Sequence, residues 1–105
     1  MAAYVIFDVP PGGDPEAMKP YRDKAFDTLI PYGGRTIVRT NEIDVREVRA
    51  EKGWTPTRLL IIEFPTVAAA RAWYESPEYQ ALLPLRLNAR GPDNMLIVGG
   101  VDDQA

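Results

Sequence analysis

Hydrophobic residues recur along this 105-residue chain with the periods of strands and of helices in turn. The most apolar run, Leu59 to Ile62, has no polar interruption and predicts a strand covered on both faces. Pro65 ends this strand, Thr66 can cap a following helix, and alanines at 68–70 let that helix approach a sheet closely. Ser76-Pro77-Glu78 is a second helix start, with a cap, a first-turn proline and an acidic residue.

The segment before this central strand shows first the alternation of a strand and then the spacing of a helix. Ala3 to Val9 alternates like a strand, and Asp14-Pro15-Glu16 begins a helix whose apolar positions have helical spacing. Pro20 predicts a kink or a late start of that helix, because proline lacks an amide donor and crowds the preceding turn. Gly33 suits the left-handed position that ends a helix, and a second strand is expected at 35–40.

Three expectations concern the remaining segments. Ile43 and Val45 continue the alternation of the second strand, but Val48 is out of phase, which predicts a bulge near Arg46 or Glu47. Pro84 predicts a break or a kink in the helix that starts near Ser76, leaving residues 85–90 as a separate turn. Residues 94–99 predict a final strand.

The resulting order is strand, helix, strand, strand, helix, strand, which is typical of the α+β ferredoxin-like fold. We expect one domain over residues 1–100 and a mobile tail at 101–105. The antiparallel sheet then carries its helices on one face only. The other face would present apolar side chains, too many to leave in water, so we expect a homodimer through this face. These side chains are Tyr4, Ile6, Leu59 and Ile61.

Composition narrows the possible chemistry. The chain has no cysteine and no histidine, which excludes disulfides, Cys/His metal sites, and Ser-His or Cys-His nucleophile pairs. We expect no metal and no cofactor. A net charge of -3 without a basic cluster argues against nucleic-acid binding. No apolar run is long enough to span a membrane and no segment resembles a signal peptide, so we expect a cytoplasmic protein that does not bind membranes.

Several motifs resemble a known family. They are Tyr32-Gly-Gly-Arg35, the run from Arg58 to Pro65, Ala70-Arg-Ala-Trp-Tyr-Glu-Ser-Pro-Glu-Tyr-Gln-Ala81, and Pro84-Leu-Arg86. With these motifs the chain resembles the bacterial family called domain of unknown function 1330, from Ala3 to about Gly100. The resemblance implies the dimeric α/β-barrel fold, shared with antibiotic-biosynthesis monooxygenases and stress-responsive barrel proteins, and it implies no activity. The chain departs from the family pattern at Pro20, at Pro31 and in the longer, charged arm at 41–52.

Trp73, Tyr79 and Arg86 are the first candidate site, because the elements that carry them follow the central strand and pack beside the sheet. Similar groups line the cavity of cofactor-free monooxygenases of the same fold, which is an analogy of fold alone. Aromatic walls, a tyrosine hydroxyl and a forked cation suit a small anionic or aromatic ligand. The alternative is that Trp73 and Tyr79 are core aromatics and that Arg86 is a surface ion-pair partner.

A second constellation contains Asp8, Glu63, Arg35 and Arg39, which alternation places on the open sheet face. Charges at that face would be functional, or else paired across neighbouring strands. Two classes of function follow from the sequence. One is a small-molecule binder or enzyme, including a cofactor-independent monooxygenase or isomerase, and the other is a non-catalytic dimeric binding or regulatory module. A cavity lined by aromatic side chains would favour the first class, and a filled core the second.

Overall fold

The computed structural model describes residues 1–90 and 93–101. Within these residues, four strands form one antiparallel sheet, accompanied by three α-helices and a short 3-10 helix. In chain order they are β1 (Ala3–Asp8), α1 (Pro15–Leu29), the 3-10 helix (Ile30–Tyr32), β2 (Arg35–Thr40), β3 (Leu59–Phe64), α2 (Val67–Glu75), α3 (Pro77–Arg90) and β4 (Asn94–Gly99). The strands lie in the order β2-β3-β1-β4, so the predicted ferredoxin-like arrangement is confirmed. The predicted tail at 101–105 lies, apart from residue 101, outside the described residues.

Each α-helix starts at the residues that the capping signals predicted. The Asp14 carboxylate accepts hydrogen bonds from the amides of Glu16 and Ala17, and the Thr66 hydroxyl accepts one from Ala69. Ser76 accepts a bond from the amide of Tyr79 at 3.2 Å and so caps α3. These short polar side chains satisfy amides that have no partner within the helix, which fixes where each helix begins.

Both internal prolines lie within continuous helices. The predicted break at Pro84 is wrong, because α3 runs unbroken from Pro77 to Arg90. Helix α1 begins at Pro15 and continues through Pro20, so the late start is also wrong. Both proline side chains are exposed, so water can bind the carbonyl that loses its partner. The buried side of α3, with Tyr79, Leu82, Arg86 and Ala89, outweighs the one missing hydrogen bond.

Strand β2 spans Arg35–Thr40, as predicted, but its irregularity lies elsewhere than expected. It ends at Thr40, and residues 41–49 form no strand, so the alternation at Ile43 and Val45 does not indicate pairing. The bulge expected near residues 46–47 is instead found between Thr36 and Val38, where the register with β3 shifts. This shift turns the side chains after Ile37 to the opposite faces of the sheet from those that simple alternation predicts.

The helices cover one face of the sheet. On that face the core contains Val5 and Phe7 of β1, together with Ile62 and Phe64 of β3, all of them buried. The 3-10 helix ends at Gly33, which has a φ of 76°, as predicted for this position. The other face carries Ile6 beside Ile61, flanked by Leu96 and Val98 on β4. Leu96 is 55% exposed, so an apolar sheet face is open in the single chain.

Candidate functional site

A cleft of about 210 Å³ lies between α1 and the helix-facing side of the sheet. Four arginines line it, one from each of four segments, and we call it the arginine cleft. Its arginines are Arg22 on α1, Arg39 on β2, Arg58 immediately before β3 and Arg90 at the end of α3. Its apolar lining comes from Phe7, Val9, Tyr21, Ala25, Phe26, Leu29, Leu60, Ile62 and Trp73. The site thus joins a deep apolar wall to a cationic rim.

The surrounding backbone and side chains hold these guanidinium groups in place. Arg22 donates to the carbonyl oxygen of Pro15 at 3.1 Å, and Arg58 donates to the Asn41 side-chain oxygen. Arg39 lies over the Phe26 ring, 5.9 Å from its centre. Arg90 lies over the rings of Phe7 and Tyr21 and pairs with a carboxylate behind the cleft. Because most of these partners are neutral, the positive charge of the rim is largely uncompensated.

Arg39 reaches the cleft because of the β2 bulge. Alternation from Arg35 places both arginines on the open sheet face, as the sequence predicted. The register shift between Thr36 and Val38 reverses this, so Arg39 pairs with Leu60 and lies on the helix side. The expected grouping of Arg39 with Asp8 and Glu63 is therefore not observed.

Asp8 and Glu63 remain on the open face, and each has a partner. The Asp8 carboxylate accepts a hydrogen bond from the Trp54 indole at 2.9 Å. Glu63 forms an ion pair with Arg35 at 2.7 Å. The Glu63–Arg35 contact is an ion pair across neighbouring strands, as in the paired alternative, whereas the partner of Asp8 is a neutral indole. These contacts place the two carboxylates across the sheet from the arginine cleft.

Tyr79 and Arg86 lie behind the wall of the cleft. Tyr79 is completely buried and Arg86 is 4% exposed, and neither is among the lining residues. An Arg86 guanidinium nitrogen donates to the Tyr79 hydroxyl at 2.9 Å, and the Tyr79 and Tyr21 hydroxyls lie 2.9 Å apart. Tyr21 does line the cleft. The sequence candidates are therefore connected to the cleft through a tyrosine that the sequence analysis did not single out.

Burial raises the pKa of Tyr79 far above its ordinary value near 10, and the neighbouring Tyr21 adds to this rise. The nearby guanidinium of Arg86 acts in the opposite direction but is the weaker effect. The Tyr79 hydroxyl therefore keeps its proton at neutral pH, and it can act as a hydrogen-bond donor.

The carboxylate behind the cleft belongs to Asp93, and it forms ion pairs with two arginines. Its Oδ2 lies 3.2 Å from Arg90 Nη1 and 3.7 Å from Arg86 Nε. The side chains of Asp93 and Arg86 are only 3% and 5% exposed. Arg86 Nε has no hydrogen-bond partner among residues 1–90 and 93–101. One negative charge thus faces two buried or half-buried positive charges, which leaves this end of the cleft cationic.

Trp73 belongs to both the core and the cleft. It is 1% exposed and packs on Phe64 and Tyr79, with ring centres 5.5 Å and 4.2 Å away. Its indole nitrogen donates to the Thr28 hydroxyl at 2.9 Å, which fixes the ring plane. One side of this ring forms part of the cleft wall. Trp73 is therefore both a core aromatic and part of the cleft wall, so the two alternatives expected from the sequence do not exclude each other.

Four lining residues that carry polar groups were not candidates from the sequence: Tyr21, Arg22, Arg58 and Arg90. Tyr21 has helical spacing with Ala25 and Leu29, which predicts only that it faces the core. The three arginines lie 32 to 68 positions apart in every pairing, and no local pattern links residues at such separations. Their common location follows from the tertiary fold, in which α1, the start of β3 and the end of α3 meet at the cleft.

The described residues contain neither a membrane-spanning helix nor an acidic metal-binding cluster. No helix within residues 1–90 and 93–101 is both long and apolar enough to cross a membrane. Over the same residues, no group of three or more acidic side chains is arranged to hold a metal ion.

Comparison with known proteins gives a family and a fold. Residues 2–101 match the family model described as Domain of unknown function (DUF1330). No curated protein matches the sequence. A protein of unknown function from Rhodopseudomonas palustris is 16% identical, with 96% of this chain and 83% of that chain covered and a TM-score of 0.70.

Two other solved structures extend this comparison. A dimeric ferredoxin-like protein of unknown function from Jannaschia sp. CCS1 is 14% identical, with 95% of this chain and 100% of that chain covered and a TM-score of 0.61. An antibiotic biosynthesis monooxygenase is 17% identical, with 97% and 100% covered and a TM-score of 0.51. At these identities the likeness shows the ferredoxin-like fold and no activity.

Proposed function

We propose that this chain, which belongs to the Domain of unknown function (DUF1330) family, binds a small organic anion in the arginine cleft and does so as a homodimer. The observation that carries the proposal is the lining of the cleft. Four guanidinium groups surround an apolar and aromatic wall, and no carboxylate is among the described lining residues. An anion with an apolar body complements both parts of this surface.

The cleft also limits the size of the ligand. Its volume of about 210 Å³ is below the 300–1,000 Å³ that is usual for drug-sized ligands. A single ring or a short branched chain that bears a carboxylate or enolate fits this volume. The planar guanidinium groups of Arg39 and Arg58 can each donate two parallel hydrogen bonds to such a group. The rings of Phe7 and Trp73 would contact the apolar body.

Replacing Arg39 by methionine should weaken binding of benzoate about tenfold to a hundredfold. The reason is that a hydrogen bond to a charged group contributes about 1.5–3 kcal/mol, and about 1.4 kcal/mol is a factor of ten. Titration calorimetry with benzoate measures the effect. Benzamide, which has the same shape without the charge, should bind wild type more weakly than benzoate and should not distinguish the two proteins.

Arg71→Met is the matched control, since Arg71 is an exposed arginine of α2 that does not line the cleft. It removes the same charge from the protein as a whole and should leave benzoate binding unchanged within twofold. Equal losses in the two variants would show a general charge effect and would contradict the proposed site. Failure of wild type to bind benzoate or any other monocyclic carboxylate would contradict the proposed function.

The homodimer is proposed from the open face of the sheet. Ile6 and Ile61 lie side by side at its centre, and Leu96 and Val98 next to them are 55% and 36% exposed. An apolar sheet face of this kind is unfavourable in water and is commonly covered by a partner. A solved structure of the same fold from Jannaschia is dimeric, which supports a second copy as that partner.

Ile61→Lys should dissociate the dimer, raising its dissociation constant at least about a hundredfold. The substitution places an ammonium group between Ile6 and Val38, its register partners on the two neighbouring strands, and neither side chain can pair with the charge when the face is buried. Sedimentation equilibrium should give twice 11.7 kDa for wild type and 11.7 kDa for the variant. Ile30→Lys is the control, because Ile30 is 72% exposed and lies away from the sheet face. A wild-type monomer at micromolar concentration, or a variant that stays dimeric, would contradict the interface.

A further inference from the structure

We infer that the Tyr21 hydroxyl is a fixed hydrogen-bond donor to the charged end of the ligand in the arginine cleft, and that Arg86 and Tyr79 set its direction from behind the wall. This inference rests on the proposed function, which it deepens by naming a residue that selects the ligand. It also gives Tyr79 and Arg86 an indirect role in binding, since neither lines the cleft.

The direction of the first hydrogen bond follows from the chemistry of arginine. A guanidinium group has only donors, so in the 2.9 Å contact between Arg86 and Tyr79 the tyrosine oxygen must accept. Asp93, which is 3.7 Å from Arg86 Nε, holds the guanidinium from its other side. Arg86 also lies over the Phe7 ring, 5.0 Å from its centre, so its position is fixed by three neighbours.

The second hydrogen bond is then fixed as well. Tyr79 has one proton to donate, and the only acceptor for it among residues 1–90 and 93–101 is the Tyr21 oxygen at 2.9 Å. If Tyr21 donated instead, the proton of the completely buried Tyr79 would have no partner. An unsatisfied buried donor is costly, so the arrangement in which Tyr79 donates is favoured. Burial also raises the pKa of Tyr79, which keeps this proton in place.

Tyr21 therefore accepts from behind and must donate elsewhere. It is 7% exposed and lines the cleft, and no acceptor within the described residues takes its proton. Its proton is directed toward an acceptor in the cleft. The same side of the cleft contains Arg90, whose guanidinium lies 5.9 Å from the centre of the Tyr21 ring. A carboxylate, enolate or phenolate oxygen at this position would accept from Tyr21 and face Arg90 at once.

The chain from Arg86 to Tyr21 has a consequence for selectivity. Tyr79 accepts a hydrogen bond from Arg86, and Tyr21 accepts one from Tyr79. Such a chain polarises each hydroxyl in turn and makes Tyr21, at its end, a stronger donor. The Tyr21 hydroxyl would stabilise an anionic oxygen more than a neutral one. A ligand that presents an O–H or N–H at this position would meet a donor and would be disfavoured.

Binding of 4-nitrophenol tests this inference, because its phenolate absorbs visible light and its neutral form does not. Titration of wild type with the probe at several pH values gives the ratio of the affinities for the two forms. We expect wild type to favour the phenolate. Tyr21→Phe should lower that ratio about tenfold, as expected for loss of one hydrogen bond to a charged group. Tyr79→Phe should lower it about twofold to threefold and should have no further effect in the Tyr21→Phe background.

Tyr74→Phe is the matched control. Tyr74 packs against Tyr79, with ring centres 5.6 Å apart, but it does not line the cleft. It loses a hydroxyl from the same aromatic cluster and should leave the ratio unchanged. Charges that face the probe from every element, namely Arg22, Arg39, Arg58 and Arg90, are the same in all of these variants.

The outcomes separate the two proposals. If wild type binds the phenolate and Tyr21→Phe keeps the full preference, the inference is wrong and the proposed function stands. If Tyr79→Phe still lowers the ratio in the Tyr21→Phe background, Tyr79 does not act through the Tyr21 hydroxyl. That result would contradict this part of the inference and would indicate a purely structural role for Tyr79. If Tyr79→Phe does not fold, Tyr21→Phe alone still decides whether Tyr21 contacts the anion. If wild type binds benzoate but not the phenolate, the inference is wrong and the proposed function stands. If wild type binds neither anion, the proposed function fails and the inference fails with it.

Discussion

Asp93→Asn is expected to lower the free energy of unfolding by about 3–5 kcal/mol, since breaking a buried ion pair leaves uncompensated charge in the interior. Asp93 is 3% exposed in its side chain and faces both Arg86 and Arg90. The asparagine amide has nearly the same shape but no charge, so two guanidinium groups would lose their shared counterion. Urea unfolding followed by circular dichroism measures the change.

The control is Asp44→Asn, which breaks another pair of a carboxylate and an arginine. Asp44 and Arg46 lie 3.1 Å apart, but their side chains are 75% and 85% exposed. Water and salt screen such a pair, so its loss should change stability by less than about 1 kcal/mol. Similar losses in both variants would show that burial of Asp93 is not what makes its charge important.

The same variant links stability to the proposed ligand. With the Asp93 charge removed, Arg90 at the rim of the cleft has no carboxylate partner among the described residues. An anion in the cleft then becomes its nearest counterion. Benzoate at a fixed concentration should therefore raise the melting temperature of Asp93→Asn more than that of wild type. Benzamide should show no such difference.

The parts of the fold that the sequence predicted correctly depend on local chemistry. Asp14, Thr66 and Ser76 each satisfy amides two or three residues away, so their role can be read from a few neighbouring residues. The order of strands and helices depends on periodicity, which is also local. These two kinds of signal were sufficient for the ferredoxin-like arrangement.

The errors arose where tertiary packing outweighed a local preference. Pro84 carries a local cost of about 3 kcal/mol or more within a helix, yet α3 is continuous. The free energy gained by burying one side of α3, which includes Tyr79 and Leu82, exceeds this cost. The bulge between Thr36 and Val38 likewise depends on pairing with β3, and no residue type in β2 marks it.

The candidate site proposed from the sequence overlaps only in part with the arginine cleft. An aromatic cleft between sheet and helices that accepts an anion is the proposal in both cases, and Trp73 lines it as expected. The cation of the expected site was Arg86, whereas the arginines on the cleft are others, including Arg39. The sequence could not show this, because a single bulge decides on which face of the sheet Arg39 lies.

Trp73→Ala is expected to lower the free energy of unfolding by about 3–5 kcal/mol, as truncation of a buried tryptophan usually does. Trp73 is 1% exposed, packs on Phe64 and Tyr79, and donates a hydrogen bond to Thr28. The variant would lose these contacts and leave a void that the helices cannot close completely. Urea unfolding measures the loss, and Trp73→Phe should show a smaller one.

The two tryptophans of the chain make the comparison direct. Trp54 is 61% exposed and its indole donates to Asp8, so Trp54→Ala should lower the free energy of unfolding by less than about 1.5 kcal/mol.

Because Trp73 forms part of the cleft wall, the void left by Trp73→Ala would open into the cleft. An apolar cavity binds apolar groups that match its size, so 2-naphthoate should stabilise Trp73→Ala more than it stabilises wild type. Benzoate, which has one ring fewer, should stabilise the variant no more than wild type. A Trp73→Ala protein that is as stable as wild type would contradict the packing. Loss of binding of both acids, with the fold retained, would show that Trp73 supports the cleft itself.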